Sequence, residues 1–192
     1  MNFKISYKNF KMEFKRRRQP FVYMKSEIEE KTASNLFNIL RDCKDENGLS
    51  IWSNGIKDKT GVSTRKAYIV TNTKSVVFNL LYDVIKTLLY KTYSALKYDV
   101  KNIESSILGI YLNYYENGND YAPIHNHRKQ GTHQMVISLG DSRTFVLGSK
   151  EFEVKNGDAM FFGYQNHGIK RMNKEKSDKG RISIAVFTKP IF

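Results

Sequence analysis

Three histidines in the second half of the chain have the types and spacing of metal ligands. His125 and His127 are separated by one residue, so on a strand or an extended turn their side chains point to the same face. His167 follows the apolar run 159–162, which has the length of a strand. Imidazole binds iron, zinc, copper and nickel, and three ligands leave coordination positions open for a reactant. The spacing therefore predicts a catalytic rather than a structural metal site.

Other interpretations of the same histidines are weaker. They could be surface or core residues, as could the fourth histidine, His133. A thiolate zinc site is excluded because Cys43 is the only cysteine. The letters His-Asn-His at 125–127 also occur in nucleases, but such a site needs a ββα context with further ligands, which the sequence does not show.

A series of short motifs surrounds these histidines. In chain order they are Asn113-x-Tyr115, His125, Ile137-Ser-Leu-Gly140, Arg143-Thr-Phe145, Gly157-Asp158, His167 and Arg181-Ile-Ser183. With this order, residues 113–187 resemble the catalytic core of the AlkB-type Fe(II)/2-oxoglutarate-dependent dioxygenases. The resemblance implies an α+β fold in which a double-stranded β-helix, or jelly roll, holds the metal at its open mouth and two N-terminal helices support it.

The resemblance also implies a role for each matching residue. His125, His127 and His167 would bind Fe(II), while Arg181, with Asn113, Tyr115 and Ser183, would bind 2-oxoglutarate. A planar guanidinium suits this role because it can hold a carboxylate through two hydrogen bonds. The implied reaction uses dioxygen and 2-oxoglutarate as cosubstrates and oxidises an alkyl group on a nucleic-acid base, as in oxidative demethylation.

Three positions depart from the family pattern. His127 stands where the family has a carboxylate ligand, Ser183 where it has asparagine, and Phe187 where it has a second arginine. A neutral imidazole leaves the metal site more positive, which favours a dianionic cosubstrate but makes the metal harder to oxidise. Asp120 or His133 could complete the metal site instead, and Lys189 could partly replace the missing arginine.

These departures leave two alternatives open. The first is a degenerate AlkB-like domain that binds nucleic acid or a protein partner without turnover. The second is a three-histidine dioxygenase that does not use 2-oxoglutarate, in which Arg181 would have no part.

The charge balance points to a polyanionic partner. Lysine and arginine total 32 against 19 acidic residues, a formal net charge of +13. Such a field attracts phosphate backbones, so we expect nucleic acid as a partner. The candidate contacts are Arg16 and Arg17 in the basic run 15–18, Arg65, Lys66 and Arg143. The basic run could equally be a solvated arm or a targeting signal.

The whole chain, 1–192, is expected to form one AlkB-like domain. Residues 1–25 would form a basic arm and an edge strand, 26–106 the helices and a nucleotide-recognition lid, and 107–192 the catalytic core. A capping-box pattern at 26–29 predicts a helix over about 27–45, and an apolar stripe predicts another over about 75–97. Strands are predicted at 107–115, 134–139, 144–147, 152–154, 159–162 and 182–187.

Cellular context follows from what the sequence lacks. No apolar run reaches the roughly 18 residues that span a membrane, and no signal peptide is recognised, so we expect no membrane association. The single cysteine allows no internal disulfide, which favours a reducing compartment, cytoplasm or nucleus. The oligomeric state is left open.

Overall fold

Two antiparallel sheets form the framework of the protein in a computed structural model that describes residues 19–52, 55–71, 73–99, 102–172 and 179–191. The seven-stranded sheet contains, in spatial order, β1 (Phe21–Met24), β9 (Ala159–Phe162), β6 (His133–Gly140), β11 (Arg181–Thr188), β4 (Ile107–Tyr115), β3 (Ser63–Val70) and β2 (Ile56–Lys57). The four-stranded sheet contains β5 (Ala122–His125), β10 (His167–Ile169), β7 (Arg143–Leu147) and β8 (Lys150–Val154). The helices pack on one face of the large sheet and the small sheet packs on the other.

The central strands of the large sheet are buried on both faces. Along β11, Ile182, Ile184 and Val186 belong to the core beneath the helices, while Arg181, Ser183 and Ala185 face the small sheet. This follows from the two-residue period of a strand. It also places the polar side chains of β11 on the inner face, between the two sheets.

Two helices cover the outer face of the large sheet. Helix α1 (Glu30–Arg41) contributes Leu36, Phe37 and Leu40 to the core, and α2 (Val76–Ala95) contributes chiefly leucine and isoleucine. The N-cap of α2 is Ser75, whose side chain accepts a hydrogen bond from the backbone N–H of Phe78. The predicted second helix is therefore confirmed.

The predicted start of α1 is wrong. Ser26 has a positive φ of 48°, and its backbone N–H donates to Asp158 Oδ1 instead of entering a capping box. The helix begins at Glu30, after an N-cap residue, Glu29, that makes no side-chain capping bond. It ends at Arg41 and not near 45, because Asp45 lies in a turn where its carboxylate accepts from the backbone N–H groups of the following residues.

Strands β5 and β10 were absent from the predicted set, and β2 and β3 lie in the stretch 49–73, which was expected to form strands and loops but was given no strand bounds. Strand β3 pairs with β4, so the expected lid segment adds to the large sheet. Strands β5 and β10 are short and pair with each other, and β2 is a two-residue edge. The predicted α+β class, with a jelly-roll core and two supporting helices, is confirmed.

The predicted basic arm, with Arg16 and Arg17, lies outside the described residues. Within the described ranges, neither helix is long and apolar enough to cross a membrane.

Candidate metal centre

The three histidines come together at one end of the small sheet. His125 is the last residue of β5, His167 is the first of β10, and the two lie opposite each other in the antiparallel pair. His127 comes just before a short 3-10 turn, Arg128–Gln130. The ligand atoms of the three side chains all lie within 4.8 Å of one another. This separation is within reach of a single metal ion after small side-chain movements.

Backbone carbonyls set the tautomers of two of these histidines. Nδ1 of His125 lies 2.7 Å from the carbonyl oxygen of Pro123, and Nδ1 of His167 lies 3.0 Å from that of Gln165. A carbonyl can only accept, so each Nδ1 must donate, which leaves Nε2 with a lone pair for a metal. In most histidine metal sites, the ring nitrogen that does not bind the metal donates a hydrogen bond of this kind.

Burial keeps the three imidazoles neutral. It lowers the pKa of His167 to about 3 and that of His127 to about 4, and it also lowers the pKa of His125. The proximity of the other histidines lowers the pKa values of His127 and His167 further, because two imidazolium ions would repel each other. At pH 7 all three side chains are therefore in the form that binds a metal.

The histidines face a cavity of about 830 Å³ between the two sheets. Arg65 and Arg181 are its charged lining residues, and no aspartate or glutamate lines it among the residues that the structure describes. The other lining side chains are mostly apolar, including Val136, Phe145 and Ile169. Such a cavity favours an anionic occupant.

Arg181 is the strongest anion-binding group in this cavity. Its side chain is fully buried, and Nη2 donates to Ser138 Oγ over 2.9 Å. The guanidinium carbon lies 5.2 Å from the centre of the Tyr115 ring. Within the described part of the chain, Nε and Nη1 have no hydrogen-bond partner. Burial lowers the pKa of Arg181 to about 10, so it is still charged at pH 7.

This arrangement is costly unless an anion completes it. A buried donor without a partner costs roughly 1–3 kcal/mol, and more when it is charged. A carboxylate that lay against Arg181 would accept from the two unpartnered nitrogens and compensate the charge.

The other predicted cosubstrate residues lie beside Arg181. Asn113 on β4 accepts from Arg65 Nε over 2.8 Å, and its amide lies 3.5 Å from Ser183 Oγ. Tyr115, Asn113 and Ser183 all line the cavity. The structure thus brings together the four residues that the sequence assigned to 2-oxoglutarate.

The predicted nucleic-acid contacts separate into different environments. Arg65 lines the cavity, whereas Lys66 pairs with Glu116 over 2.7 Å at the surface and does not line it. Arg143 is 1% exposed and donates to the backbone carbonyls of Asn117, Gly118 and Asp120. The prediction that Arg143 contacts nucleic acid is therefore wrong: the side chain holds the loop between β4 and β5.

The alternative residues weighed for the site lie elsewhere. Asp120 accepts from the backbone N–H of Glu116 over 2.7 Å and does not join the histidine cluster. His133 is fully buried and accepts a hydrogen bond from the backbone of Ile191. Lys189 is exposed and does not line the cavity. Where the second arginine was expected, Phe187 packs edge-on against His127, with ring centres 4.8 Å apart.

Gln134 was missed in the sequence. It is 2% exposed, lines the cavity, and its Nε2 lies 3.1 Å from Nε2 of His167. The signal was present, because Gln134 and Ser138 are four residues apart on a mostly apolar strand, which places both on one face.

No protein-family model and no curated protein matches this chain. Its structure is similar to a prolyl-4-hydroxylase from Pseudomonas putida, with a TM-score of 0.59 and 13% identity over 90% of this chain and 94% of that chain. It is also similar to SnoN, a non-heme alpha-ketoglutarate-dependent epimerase from nogalamycin biosynthesis, with a TM-score of 0.60 and 13% identity over 91% of this chain and 82% of that one. At this identity the comparisons establish the fold, which this chain shares with both enzymes.

Proposed function

We propose that this chain is an Fe(II)- and 2-oxoglutarate-dependent oxygenase. The observation that carries the proposal is that three histidines and a buried arginine with unpartnered nitrogens face one cavity. Imidazole nitrogens suit Fe(II), and the unpartnered face of Arg181 suits a carboxylate. SnoN, which has the same fold, is an alpha-ketoglutarate-dependent enzyme, and this agrees with the assignment.

In this proposal each side chain has a distinct binding role. His125, His127 and His167 hold the metal, and the carbonyls of Pro123 and Gln165 keep two of the rings in position. Arg181 binds a carboxylate of 2-oxoglutarate. When bound, Fe(II) and 2-oxoglutarate supply the oxidising chemistry with dioxygen, giving succinate and carbon dioxide.

The protein also shields Arg181 and His167 from water. Arg181 is fully shielded from solvent, and Phe145 and Phe162 lie against His167 with ring centres 6.1 and 4.9 Å away. Charge interactions are stronger in such surroundings than in water, so one guanidinium can hold the cosubstrate without the family's second arginine.

The substrate proposed is an alkylated nucleic-acid base. The net charge of +13 favours a polyanion, and Arg65 offers a cation within the cavity. Tyr111 is 40% exposed and lines the same cavity, so its ring is available to stack on a base that has left its helix. The reaction would be the oxidative removal of the alkyl group.

A second candidate function is favoured by His127 and Phe187. Among the residues that the structure describes, no carboxylate joins the histidine cluster, and phenylalanine stands in place of the second arginine, so the domain could bind nucleic acid without turnover. A 2-oxoglutarate-independent dioxygenase is less well supported, because it offers no carboxylate to accept hydrogen bonds from the two unpartnered nitrogens of Arg181.

The cofactor assignment is tested by anaerobic absorption titration with Fe(II) and 2-oxoglutarate. A saturable visible charge-transfer band in the wild type, absent from Arg181→Met with its iron still bound, supports the proposal. Bound iron that gives no band in the wild type supports the 2-oxoglutarate-independent enzyme. A wild type that binds no iron supports the binding domain.

The substrate assignment needs a separate experiment. Succinate release is measured with single-stranded oligonucleotides that carry alkylated bases. Affinity for the same oligonucleotides is then compared in Arg65→Met and Lys66→Met. These neighbours on β3 lie inside and outside the cavity. Selective weakening by Arg65→Met supports recognition in the cavity, whereas equal weakening indicates only general attraction to phosphate.

A further inference from the structure

We propose that Gln134 is a fourth protein ligand of the metal centre, which it binds through its side-chain oxygen Oε1. This inference rests on the metal site of the proposed function. It gives the metal one protein ligand more than the three histidines supply.

The first argument is that the Gln134 amide lies where the metal would bind His167. Nδ1 of His167 donates to the carbonyl of Gln165, so Nε2 carries the lone pair and must accept from the Gln134 amide, 3.1 Å away. A metal bound by His167 uses that same lone pair, at about 2.0–2.1 Å in histidine sites. The amide nitrogen and the metal therefore compete for one place, and the Gln134 side chain must respond when the metal binds.

The second argument is that Gln134 stays beside the metal. Its side chain is 2% exposed and lines the cavity, and its strand, β6, pairs with neighbours on both sides, with Phe162 and Phe187 opposite Gln134. The backbone is therefore fixed, and the displaced amide moves within the cavity that the histidines also line. A sideways shift of the amide clears the lone pair of His167, and a half-turn about the last bond exchanges Nε2 for Oε1.

The third argument is chemical. A bare N–H donor that pointed at a cation would be repelled, whereas an amide oxygen is an acceptor with two lone pairs. An amide oxygen also adds no charge, so the site would stay as positive as three neutral histidines make it. The shift and the rotation together thus turn the hydrogen-bond donor of His167 into a ligand of the metal that replaces that bond.

The direction in which metal affinity changes on substitution shows whether Gln134 is a ligand or only a competitor for His167. Zn(II) and Co(II) affinities are measured against a chromophoric chelator for the wild type, Gln134→Leu and the control Gln130→Leu. Gln130 also lines the cavity but lies in the exposed turn after His127. If Gln134 is a ligand, Gln134→Leu binds metal about 10–100-fold more weakly, a range typical of a lost supporting group, and Gln130→Leu is unchanged.

Unchanged or tighter binding by Gln134→Leu overturns the proposal, because a competitor's removal frees His167. If Gln134→Leu does not fold, as judged by circular dichroism, Gln134→Glu decides. A glutamate keeps an oxygen donor and adds charge, so it should bind Co(II) more tightly than the wild type and give a Co(II) absorption spectrum of the same coordination number. A changed coordination number or weaker binding contradicts the ligand role.

The outcomes distinguish this inference from the proposed function. If the wild type binds metal and Gln134→Leu binds it equally well, only the role of Gln134 falls. If the wild type binds no metal, both fall.

Discussion

His167 lies directly opposite His125 across the β5–β10 pair, and their ring centres are 4.4 Å apart. Close approach of the two strands makes this possible. A Cβ atom on Gly168 would come within 2.6 Å of the carbonyl oxygen of Ala122, so only glycine fits next to His167 without moving β5. Two of the three histidines of the metal centre are thus held by paired strands, and His127 follows from the turn after β5.

Removal of His125 is expected to abolish metal binding at this centre. His125→Ala leaves two imidazoles, and a site that has lost one of its three histidines holds iron far more weakly. Metal content after dialysis checks this. The matched control is His133→Asn, which removes a histidine outside the cluster and should leave the metal content unchanged. Unaltered iron in His125→Ala would disprove the site.

Arg181→Met is expected to leave stability unchanged or raise it in the absence of a ligand. The substitution replaces a buried charge with two unpartnered nitrogens by an apolar side chain of similar length. Even buried ion pairs can often be replaced by apolar side chains with no loss or with a gain of about 1–4 kcal/mol, and an uncompensated buried charge has less to lose. Thermal unfolding measures the effect.

Thermal unfolding of the wild type and Arg181→Met also tests whether Arg181 binds 2-oxoglutarate. At a 2-oxoglutarate concentration of about 100 times the dissociation constant, the wild type should gain about 2.7 kcal/mol and Arg181→Met should gain nothing. A strong loss of stability in ligand-free Arg181→Met would instead show that Arg181 is a structural residue.

Arg143 and Arg181 show how far the sequence could predict this site. Both stand at the first position of a strand that the motif order identified, and both are buried. The motif order indicated that Arg181 binds a carboxylate, but nothing local distinguished Arg143 from a nucleic-acid contact. The difference arises from the β4–β5 loop, whose carbonyls surround Arg143 only after distant strands have paired.

The strands also differ in how far the sequence predicted them. Long apolar runs such as β6 and β11 were predicted because burial on both faces gives a continuous pattern. Strands β5 and β10 are only four and three residues long, and β5 contains a proline, so their pairing depends on tertiary structure. The convergence of His125 and His167 was predicted from their types, while the strand pair that produces it was not.

Arg143→Met is expected to destabilise the protein by about 2–4 kcal/mol. The substitution removes a fully buried donor from the carbonyls of Asn117, Gly118 and Asp120, of which Gly118 is itself buried. The midpoint of urea unfolding measures the loss. Metal affinity should also fall, because this loop leads into β5 and His125. A change below about 0.5 kcal/mol would show that the three hydrogen bonds contribute little.

His133 is expected to make stability fall at acid pH. Burial lowers its pKa from 6.5 to about 4. Between these values the unfolded chain binds a proton that the folded chain does not, so the contribution is complete above pH 6.5 and is lost as pH falls towards 4. At most about 3 kcal/mol is involved.

Urea unfolding of the wild type and His133→Asn at a series of pH values isolates this effect. The difference in free energy of unfolding between the two proteins should shrink as pH falls from 6.5 to about 4. A difference that stays constant over this range would assign the acid sensitivity to other groups, such as the three histidines of the metal centre.

His127→Asp is expected to strengthen metal binding and raise turnover. An aspartate adds one negative charge beside the metal, which offsets its positive charge and makes its oxidation easier. Even partly screened, this attraction exceeds about 1.4 kcal/mol, so we expect Fe(II) affinity to rise by about tenfold or more. His127→Asn, of the same size but neutral, is the control. If succinate release appears only in His127→Asp, the natural chain is the binding domain and His127 is the cause. If the wild type already releases succinate and His127→Asp does so no faster, three histidines are sufficient for the reaction.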